Sequence, residues 1–162
     1  MAFDADPAAT HDPATGTDAP ASWGDTINGN FAAIGGAWTL YTPTWTNLTV
    51  GNGVVKAAYL QWGKRVECRG TFKFGSTTSV TGSFTVSLPV APKSAVSMIG
   101  TAFAVDASAG FVRTIGAVDI DSAVFGTALN FSSNGTASWT ATAPVTWATN
   151  DLITWYITYE AA

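Results

Sequence analysis

From residue 38 onward the chain consists of short segments in which apolar and polar residues alternate, and this period of two most constrains its fold. The clearest segment is 64–74, where from Val66 onward every second residue is apolar or small and those between are charged or polar. The apolar side comprises Val66, Cys68, Gly70, Phe72 and Phe74. Because alternate side chains of a strand point to opposite faces, the segment predicts a strand with one buried face.

Similar segments recur at short intervals and are separated by Gly, Pro, Asn-Gly and Asp, without any intervening helical periodicity. Such spacing is typical of antiparallel sandwiches and jelly rolls. We therefore predict an all-β, antiparallel β-sandwich or jelly-roll-like domain over residues 37–162. The predicted strands are 39–46, 54–62, 64–74, 83–88, 96–105, 111–120, 128–132, 136–142 and 152–160.

Residues 1–21 form an acidic stretch rich in Ala, Pro, Asp and Thr, with Phe3 as its one aromatic side chain. Such a composition cannot bury enough apolar surface to offset the entropy lost on ordering. We predict an extended arm there.

Residues 22–36 predict the one short helix of the chain. Ser22 can cap it, and Ile27, Phe31 and Ile34 recur at helical spacing to form one apolar stripe. A helix this short that contains glycines is not stable alone. The stripe is therefore expected to pack on the β domain, on sister copies or on another protein.

Charge is scarce and unevenly distributed along the chain. Hydrophobic residues make up 47% of the chain and charged residues only 11%, so much of the surface is either hidden in an assembly or kept soluble by Ser and Thr. Residues 1–55 carry five Asp and no Lys or Arg, and all seven basic residues follow. No basic patch is dense enough to indicate nucleic-acid binding, and no apolar run is long enough for a membrane span. The start lacks a secretory signal, so we expect cytosolic synthesis.

Candidate catalytic side chains are few, and we predict a non-enzyme without a cofactor. His11, the one histidine, lies in the arm, and Cys68 falls on the apolar side of a strand, where an inert core thiol is expected. Zinc with nitrogen or sulfur ligands is excluded by these counts. Asp119 and Asp121 share one side of a strand end and could touch Ca²⁺ or serve a glycan-cleaving enzyme, but a solvated strand end is the simpler interpretation.

Four tryptophans, Trp45, Trp62, Trp147 and Trp155, admit two interpretations. Exposed aromatic rings bind sugars by stacking, which would make the chain a carbohydrate-binding or receptor-binding module for host cell-wall glycans. Buried rings instead fill a core or a subunit interface.

Several segments of the chain matter for their order. They are Trp38-Thr-Leu-Tyr-Thr-Pro-Thr-Trp-Thr46, Gly51-Asn-Gly-Val-Val, Gly63-Lys-Arg-Val, Phe74-Gly-Ser-Thr-Thr-Ser-Val-Thr-Gly-Ser-Phe84, Ser87-Leu-Pro89, Thr146-Trp-Ala-Thr-Asn-Asp151 and Tyr159-Glu160. In this order they resemble virion proteins of tailed phages of actinobacteria, which are usually minor tail or structural proteins. A separate segment, Ser22-Trp-Gly-Asp-Thr-Ile-Asn-Gly-Asn-Phe-Ala-Ala-Ile34, is similar to a W-x-D-x-x-N-x-N-F segment near the N-termini of phage tail and head appendage proteins. Together the similar segments cover residues 20–162.

The resemblance implies a homotrimeric β-sandwich knob that is displayed on a virion, assembled in the host cytoplasm, and held by an N-terminal anchor. Its partners would be the major capsid protein or other virion proteins, with a host surface glycan as a further candidate. The chain lacks the heptads of a long fibre shaft, which favours a capsid decoration, head appendage or short tail-tip knob. The expected anchoring and oligomer-interface residues are Phe3, Trp23, Ile27, Phe31 and Ile34.

Overall fold

A computed structural model describes residues 36–93, 98–120, 126, 128–133 and 137–162. Regular structure within them is entirely β-strand. No helix capable of crossing a lipid bilayer occurs in this described part of the chain. The predicted arm and helix lie outside it, apart from Gly36. The expected anchoring residues Phe3, Trp23, Ile27, Phe31 and Ile34 are likewise outside it.

The ten strands share one sheet in which every pairing is antiparallel. They are β1 (Thr39–Leu40), β2 (Trp45–Thr49), β3 (Val54–Trp62), β4 (Arg65–Lys73), β5 (Ser79–Ser87), β6 (Met98–Asp106), β7 (Val112–Ile120), β8 (Ala128–Ser133), β9 (Ala137–Ser138) and β10 (Leu152–Glu160). Their order across the sheet is β1-β3-β4-β10-β6-β7-β8-β5-β2, and β9 pairs with β8.

The all-β, antiparallel prediction is confirmed, but the strands form one curled sheet, a half-barrel, where the sequence suggested two facing sheets. The reason is β10, which hydrogen-bonds to β4 along one edge and to β6 along the other. It joins strands that would otherwise belong to separate layers, so the ladder continues from β1 to β2.

The connections on either side of β2 require the sheet to curl. β1 and β2 lie at opposite ends of the strand order, yet only residues 41–44 join them, and residues 50–53 join β2 to β3. Nine strands spaced about 4.8 Å apart would make a flat sheet about 38 Å wide. The step from Leu40 to Trp45 spans at most about 18 Å. The two edges must therefore approach each other.

The concave face holds an aromatic core centred on Trp45. Trp45 lies on the edge strand β2, and its ring centroid is 5.2 Å from that of Phe72 on β4 and 5.7 Å from that of Trp155 on β10. It also lies 6.1 Å from Phe131 on β8. Aromatic pairs at these separations stabilise beyond the area they bury. Trp45 therefore ties one edge of the sheet to strands on the far side of the half-barrel.

The predicted alternation of β4 is confirmed, since Val66, Cys68 and Phe72 are fully buried. The alternation of β10 is confirmed by Ile153 and Ile157. Three other predictions need correction. The strand predicted at 83–88 begins four residues earlier, since β5 runs over Ser79–Ser87. Residues 39–46 are not one strand, because the chain leaves one sheet edge and joins the other across buried Pro43. The strand predicted at 136–142 ends at Ser138, and Ala137 is exposed while Trp139 is buried.

A glycine in β4 makes room for one of the core indoles. A Cβ atom added at Gly70 would overlap the Trp155 side chain, which packs directly against the Gly70 backbone on the neighbouring strand. Glycine within a strand often marks such a close approach. A Cβ at Gly82, in β5, would instead meet only Asn47 at ordinary contact distance, 3.7 Å.

We predict that Gly70→Ala lowers the free energy of unfolding by about 1–3 kcal/mol, because overpacking displaces the indole. Gly82→Ala is the matched control and should be neutral or slightly stabilising. Urea denaturation followed by tryptophan fluorescence measures both. Equal stability of the two variants would show that the contact between Gly70 and Trp155 does not constrain the core.

Candidate functional site

The one cysteine lies in the core. Cys68 is fully buried, and its Sγ lies 3.1 Å from the Tyr41 hydroxyl oxygen. Burial raises the pKa of the Cys68 thiol, and the hydrogen bond with Tyr41 offsets this only in part. Burial also raises the pKa of Tyr41. The thiol therefore stays protonated and inaccessible at neutral pH, which does not suit a nucleophile.

The described carboxylates take part in local hydrogen bonds and ion pairs. Asp119 accepts a hydrogen bond of 3.3 Å from the Asn130 amide, and Asp121 lies outside the described residues. The Ser108 hydroxyl and the Ala109 N–H lower the pKa of Asp106. Within the described ranges, no three His, Cys, Asp or Glu side chains come together to hold a metal ion.

An exposed apolar patch lies on the convex face of β10, β6 and β7. Ile99 and Ile115 are 77% and 69% exposed, and Phe103 and Tyr156 are also exposed. Phe103 pairs directly with Ile115, and Tyr156 pairs with Thr101, which places these side chains on one side of the sheet. We refer to Ile99, Phe103, Ile115 and Tyr156 as the apolar face. Clustered exposed apolar side chains mark interaction sites more often than isolated ones do.

A second surface feature is a groove with a cavity volume of about 370 Å³. We call it the Trp147 groove. One of its walls comes from the end of β4 and the start of β5, and the other from the segment that precedes β10. Its lining residues are Phe74, Gly75, Ser76, Thr78, Ser79, Val80, Ala141, Trp147, Ala148 and Thr149.

The wall that contains Trp147, in the segment that precedes β10, is held in place by ring stacking and by a buried carboxylate. The Trp147 ring stacks on Phe74 with centroids 4.7 Å apart and planes only 3° from parallel. Its indole N–H donates to the Thr140 carbonyl at 2.8 Å. Fully buried Asp151 accepts hydrogen bonds from the backbone N–H groups of Ala107 and Ala148. The wall is therefore held at several points.

The facing wall is a turn that is fixed by side-chain hydrogen bonds. Thr78 donates its hydroxyl to the Val50 carbonyl at 2.7 Å and accepts from the Gly75 N–H at 2.9 Å. The Asn52 carboxamide accepts from the Thr77 N–H and donates to the Ser76 hydroxyl. Both walls are therefore built before any ligand arrives.

The four tryptophans considered as glycan contacts lie in different environments in the structure. Trp155 is only 2% exposed, and Trp45 packs against four aromatic rings of the core. Trp62 is half-buried on the convex face, with the Arg65 guanidinium 5.7 Å from its ring centroid. Trp147 is half-buried and lines the groove. A glycan role stays a prediction for these residues, and Trp147 alone adjoins a concave polar surface among the described residues.

Sequence reasoning missed the hydroxyl side chains of the groove. Ser76, Thr78 and Ser79 fall in a Ser/Thr-rich stretch, but nothing local indicates that it meets Trp147. The two walls come together because the Phe74 N–H donates to the Asp151 carbonyl and the Asn150 N–H donates to the Phe74 carbonyl, both at 2.9 Å. Long-range pairing of this kind has no sequence signature.

No family model, curated protein or solved structure matches this chain. The resemblance to phage virion proteins therefore rests on the order of the segments quoted above.

We predict that stability falls at alkaline pH. Cys68 and Tyr41 have raised pKa values in the folded protein, so each group ionises at a lower pH in the unfolded chain than in the folded one. The free energy of unfolding therefore falls as the pH rises above the ordinary pKa values of 9.0 for Cys68 and 10.0 for Tyr41. Each group can cost up to about 1.4 kcal/mol per pH unit. Urea denaturation at neutral pH and above pH 10 measures the loss. A Cys68→Ala, Tyr41→Phe double variant should lose less, and an equally steep loss would contradict the assignment.

Proposed function

We propose that this chain is a non-enzymatic structural protein of a tailed-phage virion, displayed at the particle surface as a capsid decoration, head appendage or minor tail protein. The observation that carries the proposal is the apolar face. Two isoleucines more than two-thirds exposed, beside Phe103 and Tyr156, suit a protein that works within an assembly. The scarcity of charge along the whole chain supports the same conclusion.

The occupant we propose for the apolar face is another copy of the same chain. None of the four side chains that define the face is charged, but two of their direct cross-strand partners are, since Ile99 pairs with Asp119 and Tyr156 pairs with Arg69. Two copies would therefore pack the four uncharged side chains together and keep Asp119 and Arg69 at the margin of the contact, because burying an unpaired charge is costly. The face lies on central strands, so contact would be by side-chain packing and not by strand addition. The resemblance implies three copies.

The remaining element of the proposal is the anchor. The acidic arm with Phe3, and the stripe of Trp23, Ile27, Phe31 and Ile34, would attach the domain to the major capsid protein or another virion protein. An arm with five Asp in residues 1–55 and no basic residue suits a basic or polar groove on that partner. The β domain would then face outward.

We predict that Ile115→Asp makes the purified chain monomeric and lowers its occupancy on particles that lack the protein. A charge buried at the contact would cost several kcal/mol per copy. Leu40→Asp is the matched control, because Leu40 is also exposed (82%) but lies on β1, at the far edge of the sheet. Light scattering measures the mass, and particle sedimentation followed by blotting measures occupancy.

The proposal requires that the unaltered chain be oligomeric and bind such particles, and that Leu40→Asp behave in the same way. A wild-type chain that stays monomeric would remove the proposed role of the apolar face. A chain that never associates with particles lacking it would remove the virion assignment itself.

A further inference from the structure

We propose that the Trp147 groove binds a neutral saccharide. All of the residues that line the groove belong to the β domain, so sugar binding there does not depend on attachment to a particle. Three features of the groove favour such a ligand, namely its charge and size, the chemistry of its lining, and the rigidity of its walls.

The size and charge of the groove restrict the ligand class. A volume of about 370 Å³ falls within the range of small-molecule sites, roughly 300–1,000 Å³. None of the ten lining residues is charged. Phosphate and carboxylate ligands are recognised mainly through Arg, Lys or charge-assisted hydrogen bonds. The lining therefore favours a ligand that is polar and uncharged.

The lining combines an aromatic ring with hydroxyl groups. Trp147 stands on one wall beside Thr149, and Ser76, Thr78 and Ser79 stand on or next to the other. Phe74 covers one face of the Trp147 ring, so a sugar would meet the remaining indole surface that lines the groove, and its hydroxyls would exchange hydrogen bonds with those of the lining. Within the part of the chain that the structure describes, the hydroxyls of Ser79 and Thr149 make no protein hydrogen bond and both residues are exposed. They are free to bind a ligand.

The walls are ordered without a ligand. The stack of Trp147 on Phe74 and the two backbone hydrogen bonds to Asp151 hold one wall, and the hydrogen bonds of Thr78 and Asn52 hold the other. A site that is already ordered loses less conformational entropy on binding. Short neutral oligosaccharides, which offer few strong contacts, benefit from such preorganisation.

The test is a binding panel of neutral hexose and N-acetylhexosamine disaccharides and of intact bacterial cell-wall polysaccharide, measured with the full-length chain. The two arms separate capture of a small soluble sugar from attachment to a cell wall, and binding in either arm supports the proposal. Raising salt from about 0.05 to 0.5 M should leave the affinity unchanged, because no charged pair is involved.

Variants locate the site. Trp147→Phe keeps a ring against Phe74 but removes part of the indole surface that lines the groove, and Thr149→Val removes one free hydroxyl while keeping the shape of the side chain. Each should weaken binding about tenfold, which corresponds to about 1.4 kcal/mol. Trp62→Phe, on the convex face, is the control and should bind as the unaltered chain does. Near-ultraviolet circular dichroism checks that each variant stays folded.

Two results would overturn the proposal. One is that no saccharide of the panel binds the unaltered chain. The other is that binding survives Thr149→Val and Trp147→Phe unchanged; loss of binding in Trp62→Phe would then place the sugar contact on the convex face.

Discussion

The structure depends on the two short connections that flank β2. Because residues 41–44 and 50–53 must carry the chain between opposite ends of the strand order, the sheet cannot lie flat. Curling brings Trp45 over Phe72 and Trp155, and the resulting aromatic core holds the curl in place. Gly70 is needed for the same packing, because any larger residue there would push Trp155 away from β4.

The curl also determines what the surface can do. Large aromatic side chains fill the concave face, so little of it is available to a partner among the described residues. The convex face keeps isoleucines exposed on its central strands, and the end of the half-barrel near Asp151 carries a rigid, uncharged groove. Assembly and ligand recognition are therefore proposed for different surfaces, and a change on one need not disturb the other.

Local patterns predicted much of the fold. Strands β3 and β10 have the predicted bounds, because their alternation and flanking turns are unambiguous. The break between β1 and β2 was missed, since a β-rich sequence around Pro43 does not indicate that the chain changes sheet edge there. The strand at 136–142 was overestimated because burial of Trp139 resembles strand alternation, although it lies beyond the end of β9.

Sheet order and the groove could not be predicted, for one physical reason. Both depend on which distant segments pair, as when β10 inserts between β4 and β6 or when Phe74 bonds to Asn150 and Asp151. These contacts are selected by the packing of the whole core and leave no local signal. Trp147 was among the candidate glycan contacts, but its hydroxyl neighbours emerged only from the three-dimensional arrangement.

The proposed display of the β domain on a virion can be tested by immunogold electron microscopy of intact particles. An antibody against residues 38–162 should label the particle surface. Label over the heads would indicate a capsid decoration or head appendage, and label at the tail end would indicate a minor tail protein. Intact particles without label, with the protein recovered only in the soluble fraction of the infected host, would show that the domain is not displayed on the virion.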